Sequence, residues 1–341
     1  MKAKALQFGK AISAALFVLL LIVVGSKNAL AQTQVATLQH GDDVSVFYGQ
    51  NAFVDAHNAA QTGDVITLSS GTFTPTDITK AIILRGAGCV IDTTTGIYPT
   101  IIPGSFQMNV ADETASLTVE GIFFSGTATY FYLNHPKFVK CNFEFVDKYY
   151  RYNVSGSMQY GQFVNCKAAK FNFDGANNTT LINCVTHDSY GAGYPITAYN
   201  SYISFTGNTT GASSLNAYNC IIDCTNGNAL YNNSVAYNCI GIRNGGNAFN
   251  CQTYNCIDGQ TYSQVFETFN GNFSYDEPFI LKEEIATGFL GNDGTEVGIH
   301  GGIMPYSSRP SYMVIEQCNV ANRSTIDGKL SVEIEVSTQG E

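Results

Sequence analysis

FVNC (163–166), LINC (181–184), AYNS (198–201), AYNC (217–220), AYNC (236–239) and TYNC (253–256) are six versions of one phrase, and their spacing decides the fold. The last residues of successive copies stand 18, 17, 19, 19 and 17 positions apart. A fixed period of about twenty residues marks one structural unit stacked on itself, so the middle of the chain reads as a solenoid. Two residues before each phrase's end stands a strand former: Val164, Ile182, Tyr199, Tyr218, Tyr237 or Tyr254. Asn follows once per coil. Of the non-Gly residues it best tolerates a left-handed corner, and stacked amides can hydrogen-bond from coil to coil. The Cys then opens the next strand, facing inward.

The pattern extends in both directions. KFVKCNFEFV (137–146) is a first, weaker copy with Lys140 in the Asn position, and the regular repeat runs to about residue 261. Upstream, GDVITLSSGTFT (63–74), AIILRGAG (81–88) and SLTVEGIFFSG (116–126) alternate as strands with Gly at the corners. NAFVDAHNAAQ (51–61) has the apolar spacing of a short amphipathic helix. It is expected to cover one raw end of the solenoid, and the segment from about 262 onward the other. A left-handed hexapeptide helix has coils of about 18 residues too, but it needs a regular hexad of aliphatics that this chain lacks.

Residues 1–31 read as a secretory leader. Lys2, Lys4 and Lys10 form a basic start, Ile12 to Val24 is almost wholly apolar, and Ala29-Leu30-Ala31 has a small-x-small cleavage signature. The apolar run falls short of the roughly 20 residues of a membrane span. The mature chain is therefore expected to be secreted, periplasmic or on the cell surface, cut after Ala31. Removing the leader takes Lys+Arg from 17 to 13 against 27 Asp+Glu, a formal charge of −14. Such an acidic chain without basic clusters argues against nucleic acid and anionic membranes as partners. Charged residues are only 13% of the whole, so the surface is largely Asn, Thr, Ser, Gly and Tyr.

Ten cysteines in an exported chain would ordinarily be read as disulfides. Cys166, Cys184, Cys220, Cys239 and Cys256 share one phase of the repeat, however, and stacked parallel side chains are poorly placed for bridging. They read as buried free thiols acting as small hydrophobes. Cys224 and Cys251 sit at other phases and are the better pair if any bridge exists.

The helix followed by GDVITLSSGTF (63–73) resembles the opening of right-handed parallel β-helix proteins of the pectin-lyase-like superfamily. Its hydrophobic-x-Asn-Cys phrases are similar to that fold's asparagine-ladder turns. GNDGTEVGIHGGIMPY (291–306) with KLSVEIEV (329–336) is similar to the ending of many secreted bacterial members. The resemblance covers roughly residues 51–341. It implies an all-β, single right-handed parallel β-helix with an N-terminal capping helix and a β-rich C-terminal tail. In these terms 1–31 is leader, 32–261 the helix with its cap, and 262–341 a capping segment and tail.

The resemblance also implies association with a polysaccharide or cell-surface glycan, by binding or by cleavage as a lyase or glycoside hydrolase; the alternative is a non-catalytic adhesin or scaffold. Family members that hydrolyse galacturonans carry Asn-Thr-Asp, Asp-Asp, Gly-His-Gly and Arg-Ile-Lys phrases, and none is present. No catalytic residue can be carried over. No cofactor is called for, Ca²⁺ being compatible with the family but indicated by no motif; Asp293 in GNDGT reads as a turn.

Phase supplies the candidates instead. Lys170, Asp188 and Arg243 each fall four residues after a ladder position, the first two on adjoining coils, with His187 beside Asp188. An ammonium one coil from a carboxylate could be a base and its partner, or a plain surface ion pair. Asp188 and Asp223 lie two coils apart but differ by one in phase, which argues against a catalytic pair. Tyr149, Tyr150 and Tyr152, like Tyr130 to Tyr132, are candidates for stacking on sugar rings, or fill wide early coils.

Overall fold

The computed structural model describes residues 34–341 except 93–95, 111–114, 152–153, 192–193, 206–211, 213, 225–228, 244, 310–312, 321–331 and 339–341. For 313–320 and 332–338 it describes the backbone alone. The expected leader and Tyr152 therefore lie outside the described residues.

The chain forms a parallel β-solenoid of about nine turns. One sheet stacks ten parallel strands, from Val65–Leu68 at the first coil to Phe249–Tyr254 at the last. A second sheet runs beside it and ends on Ile221–Cys224, Ile240–Ile242 and Ile257–Gln260. The corner reading holds in detail. Asn165, Asn183, Asn200, Asn219, Asn238 and Asn255 all have φ between 45° and 54°, and Lys140 takes φ 50° in the weaker copy. Each corner N–H from Asn165 to Asn238 donates to the carbonyl just before the next corner, as Asn200 does to Tyr218 (3.0 Å) and Asn219 to Tyr237 (2.9 Å).

The cysteines after these corners point inward, as expected, and Cys141, Cys166, Cys184, Cys220 and Cys239 lie in the core. Their thiols donate along the stack; that of Cys184 reaches Phe163 O (3.2 Å) and Ile182 O (3.3 Å). Ser201 fills the missing position without loss, its hydroxyl donating to Tyr199 O (2.8 Å) and accepting from Cys184 N (3.1 Å). None of the cysteines with described side chains forms a disulfide, Cys224 and Cys251 included.

The early coils are filled by phenylalanines, such as Phe124 on Phe143 (5.1 Å) and Phe138 on Phe163 (4.8 Å). The later ones are filled by Ala198, Ala217 and Ala236. The helix Ala52–Ala59 buries Ala52, Phe53 and Ala56 against this core. Its last carbonyls are held by Lys80, whose ammonium bonds His57 O, Asn58 O and Ala60 O at 2.6–3.0 Å. A hairpin, Val35–His40 with Asp43–Tyr48, adds two strands to the first sheet beyond the first coil.

The segment 262–309 departs from the end-capping role expected of it. It folds back as a strap along the outside of the second sheet, from the last coils to Cys89, whose thiol faces Ser308 O. There it builds a second core from Val265, Phe266, Phe269, Phe279 and Leu281 against Val185, Tyr202, Ile221 and Ile240. The physical reason lies in the solenoid. The residue after each Cys points outward, and from Val185 to Ile240 it is apolar, so the sheet needs cover on its outer face. The tail strands Met313–Val320 and Val332–Thr338 pair with each other in an antiparallel hairpin. Among the described residues no helix is long and apolar enough to cross a membrane.

Candidate functional site

The strap meets the last coils around one carboxylate. Ile221–Cys224 alternates about the sheet, Ile222 and Cys224 entering the core while Asp223 points out beneath the strap. Asp223 follows Ser204 in the adjoining strand, and Ile242 follows Asp223. The strap begins with the short helix Tyr262–Val265, started by a reciprocal Thr261–Gln264 capping box. That start aims the Tyr262 hydroxyl at Asp223 Oδ2, to which it donates at 2.8 Å. The buried Tyr202 hydroxyl donates to the same oxygen.

Asp223 is 1% exposed. Burial pushes its carboxyl above the usual carboxylate range, opposed by the hydrogen bonds from Tyr202 and Tyr262. Burial and the adjacent carboxylate raise both phenols in turn. Beside this triad opens a cavity of about 430 Å³, walled by Tyr262, Phe266, Phe269 and Ile242, with Arg243 and Glu267 also on its lining. Arg243 donates from Nη1 to Asn247 O at 2.9 Å. The cavity thus offers aromatic surface, one cation and two carboxyl groups, one from the solenoid and one from the strap. This is the mix of apolar wall and convergent polar groups by which small-molecule sites are built.

The residues singled out by phase are divided by the structure. Lys170 Nζ stands 3.7 Å from Asp188 Oδ2, each side chain 42% exposed. The same ammonium lies over the rings of Phe145 (5.2 Å) and Tyr190 (5.3 Å). Asp188 sits at a corner with φ 38°, whereas Asp223 is in a strand, so the two carboxylates do not form a pair. His187 stacks on Phe273 of the strap (5.3 Å). Arg243 belongs to the cavity, three coils from Asp188, or roughly 14 Å at about 4.8 Å per strand.

Tyr149 meets Phe131 edge-on at 4.6 Å, while Tyr150 is 70% exposed on a two-residue strand. Tyr130 is wholly buried and Tyr132 exposed, so the clusters divide between core and surface. Among the described residues no three His, Cys, Asp or Glu side chains converge as a metal site. Asp293 makes the expected turn, bonding Thr295 N (3.0 Å) and Thr295 Oγ1 (2.8 Å).

Asp223, Tyr202 and Tyr262 are the residues that the repeat phase did not select. A signal was present: IIDC (221–224) sets one acid in an apolar run, where a buried charge needs partners. No protein-family model matches the chain, and no curated protein or solved structure is significantly similar to it.

Proposed function

We propose that this chain is an extracytoplasmic, carbohydrate-associated protein of the pectin-lyase-like kind, holding a sugar in the cavity between its last coils and its strap. The observation that carries the reading is the buried Asp223 beside aromatic walls, with Arg243 on the same lining. A pyranose can rest its apolar face on Tyr262 or Phe269 while its hydroxyls bond a carboxyl and a guanidinium. Supporting it further are the leader-like residues 1–31 and the low charge of the surface.

If the bound sugar is cleaved, Asp223, with its raised proton affinity, is the candidate acid and Glu267 the second carboxyl group. A polysaccharide running along the solenoid would also meet Lys170, Asp188 and Tyr190. A non-catalytic scaffold is the second reading, favoured by the file of stacked tyrosines from Tyr199 to Tyr254 on the outer face of the first sheet.

The test is calorimetric titration of the purified protein with neutral and acidic oligosaccharides, with and without Ca²⁺, while product size is followed. Arg243→Ala should weaken binding about tenfold or more, roughly the loss of one charge-assisted hydrogen bond, with Lys170→Ala near neutral. Absence of binding across the panel would overturn the reading. Binding lost in Lys170→Ala but kept in Arg243→Ala would move the site to the open face.

A further inference from the structure

The first sheet ends on an unpaired strand at each side, the far one capped at its start, where Asp258 Oδ2 accepts from Phe249 N at 3.1 Å. Its strand order begins with Asp43–Tyr48 and finishes with Phe249–Tyr254, and among the described residues neither has a second neighbour. Natural edge strands are commonly blunted by lysine, proline or a bulge. DVSVFY (43–48) and FNCQTY (249–254) contain no Lys, Arg or Pro. Val44 and Val46 are 61% and 45% exposed. The far end is open in section as well, for Cys251 and Cys256 pack against the core yet stay only half-buried.

The two margins also match in direction and register. Val35–His40 runs antiparallel to both its neighbours, so Asp43–Tyr48 returns to the direction of the coil strands. Traced strand by strand, the outward column of Tyr254, Tyr237, Tyr218 and Tyr199 reaches Thr67 in the first coil and Val46 in the margin strand. A second copy displaced along the stack therefore brings a parallel strand to the open margin, with Val46 over the free face of Tyr254. The helix Ala52–Ala59 packs behind Val35–His40, Asp43–Tyr48 and Val65–Leu68 and covers the core there, so the pairing rests on the margin of the first sheet.

We propose that copies of this chain join head to tail, Asp43–Tyr48 of one pairing in parallel with Phe249–Tyr254 of the next. The contact is heterologous, so it propagates in a line and does not close at a dimer. Six-residue strands span about 20 Å and packed sheets lie about 10 Å apart. Each end therefore offers on the order of 200 Å², or about 400 Å² for the pair. That is the size of a weak, reversible contact, so assembly should rise with concentration.

Sedimentation velocity of the purified protein from micromolar to millimolar concentration tests this. The expected result is a concentration-dependent ladder extending past dimer. Val44→Lys with Val46→Lys disables one margin, and Gln252→Lys with Tyr254→Lys the other. Each double variant alone should lose every species above monomer, while their equimolar mixture recovers a dimer and nothing larger. A wild-type monomer at all concentrations, as when the chain's own terminal hairpin covers a margin, would overturn the proposal. So would a double variant that still polymerises, or a mixture that stays monomeric.

Discussion

Asn219 and Asn238 stand in the same four letters, AYNC, one coil apart, with nearly the same backbone (φ 54° and 49°). Their surroundings differ completely. Asn219 is buried under the strap, donating to Asn292 Oδ1 (3.0 Å) and Asp293 Oδ2 (3.3 Å) and accepting from Asn292 N (3.0 Å). Asn238 lies beyond it and accepts from the exposed Asn255 of the next coil at 3.0 Å. The corner needs Asn for its conformation, and the amide left over bonds whatever covers it. Strapped and open coils therefore share one local structure and differ in what holds it.

The largest break in that comparison should come from the strap's centre. Phe279 sits in the left-handed region (φ 54°), costly for a bulky residue, and its ring lies 4.6 Å from Phe269 and 4.9 Å from Tyr202. Phe279→Ala should cost about 3–5 kcal/mol in urea unfolding, as buried Phe truncations do. Tyr218→Ala, in the outward file of the first sheet, forfeits aromatic stacking worth about 1 kcal/mol per pair. A Phe279→Ala variant as stable as the wild type would mean that this part of the strap adds nothing to stability.

Alkaline pH separates the regions next. Burial pushes the Cys89, Cys166 and Cys239 thiols up, well above their ordinary range. The unfolded chain releases these protons from about pH 8.5 while the fold keeps them, so their stabilisation is full below that pH and lost above it. Lys167 acts in the opposite sense. Its ammonium, buried under the strap and bonded to Tyr275 O (2.8 Å) and Glu277 O (2.6 Å), is held at about 8 by burial.

Between that value and about 10.4 the unfolded chain binds its proton better, which raises stability with pH. Cys251, pushed up to about 11 by burial, adds to the thiols' side, so the thiols outnumber the lysine and stability should fall between about pH 8.5 and 10. Lys167→Met should steepen the fall. A profile unchanged by that substitution would show that Lys167 does not titrate with unfolding.

The solenoid was legible because a repeat multiplies its own signal. One Asn-Cys pair says little, whereas five of them and one Asn-Ser in phase fix the corner, the inward side chain and the stacking direction together. The strap was not, because its contacts are single and irregular: Lys167 on two carbonyls, His187 on Phe273, Cys89 on Ser308 O. Its trace lay in the solenoid itself, where Val185, Tyr202, Ile221 and Ile240 make strands apolar on both faces. Asp223 could not be singled out from the period for the same reason. Its role depends on Tyr262, whose position comes from the chain reversal and not from the period. The hairpin at 35–48 carries a turn signal in HGDD (40–43), with Gly41 at φ 57°.

The finest test of the comparison is made at two corners. Asn183 is buried and donates to Ile299 O (2.9 Å) and Gly301 O (2.8 Å) of the strap, while Asn255 is exposed and bonds only the neighbouring amide of Asn238. Ala at either site meets the same left-handed strain, of about 1 kcal/mol. At 183 it also leaves two strap carbonyls without their donor, so Asn183→Ala should cost about 2 kcal/mol more than Asn255→Ala. Gly relieves the strain but not the loss of the donor. Asn255→Gly should therefore be nearly silent in urea unfolding while Asn183→Gly keeps most of its cost. If both glycine variants were silent, the strap would be held by its apolar core alone, and the ladder amides beneath it would serve only the corner.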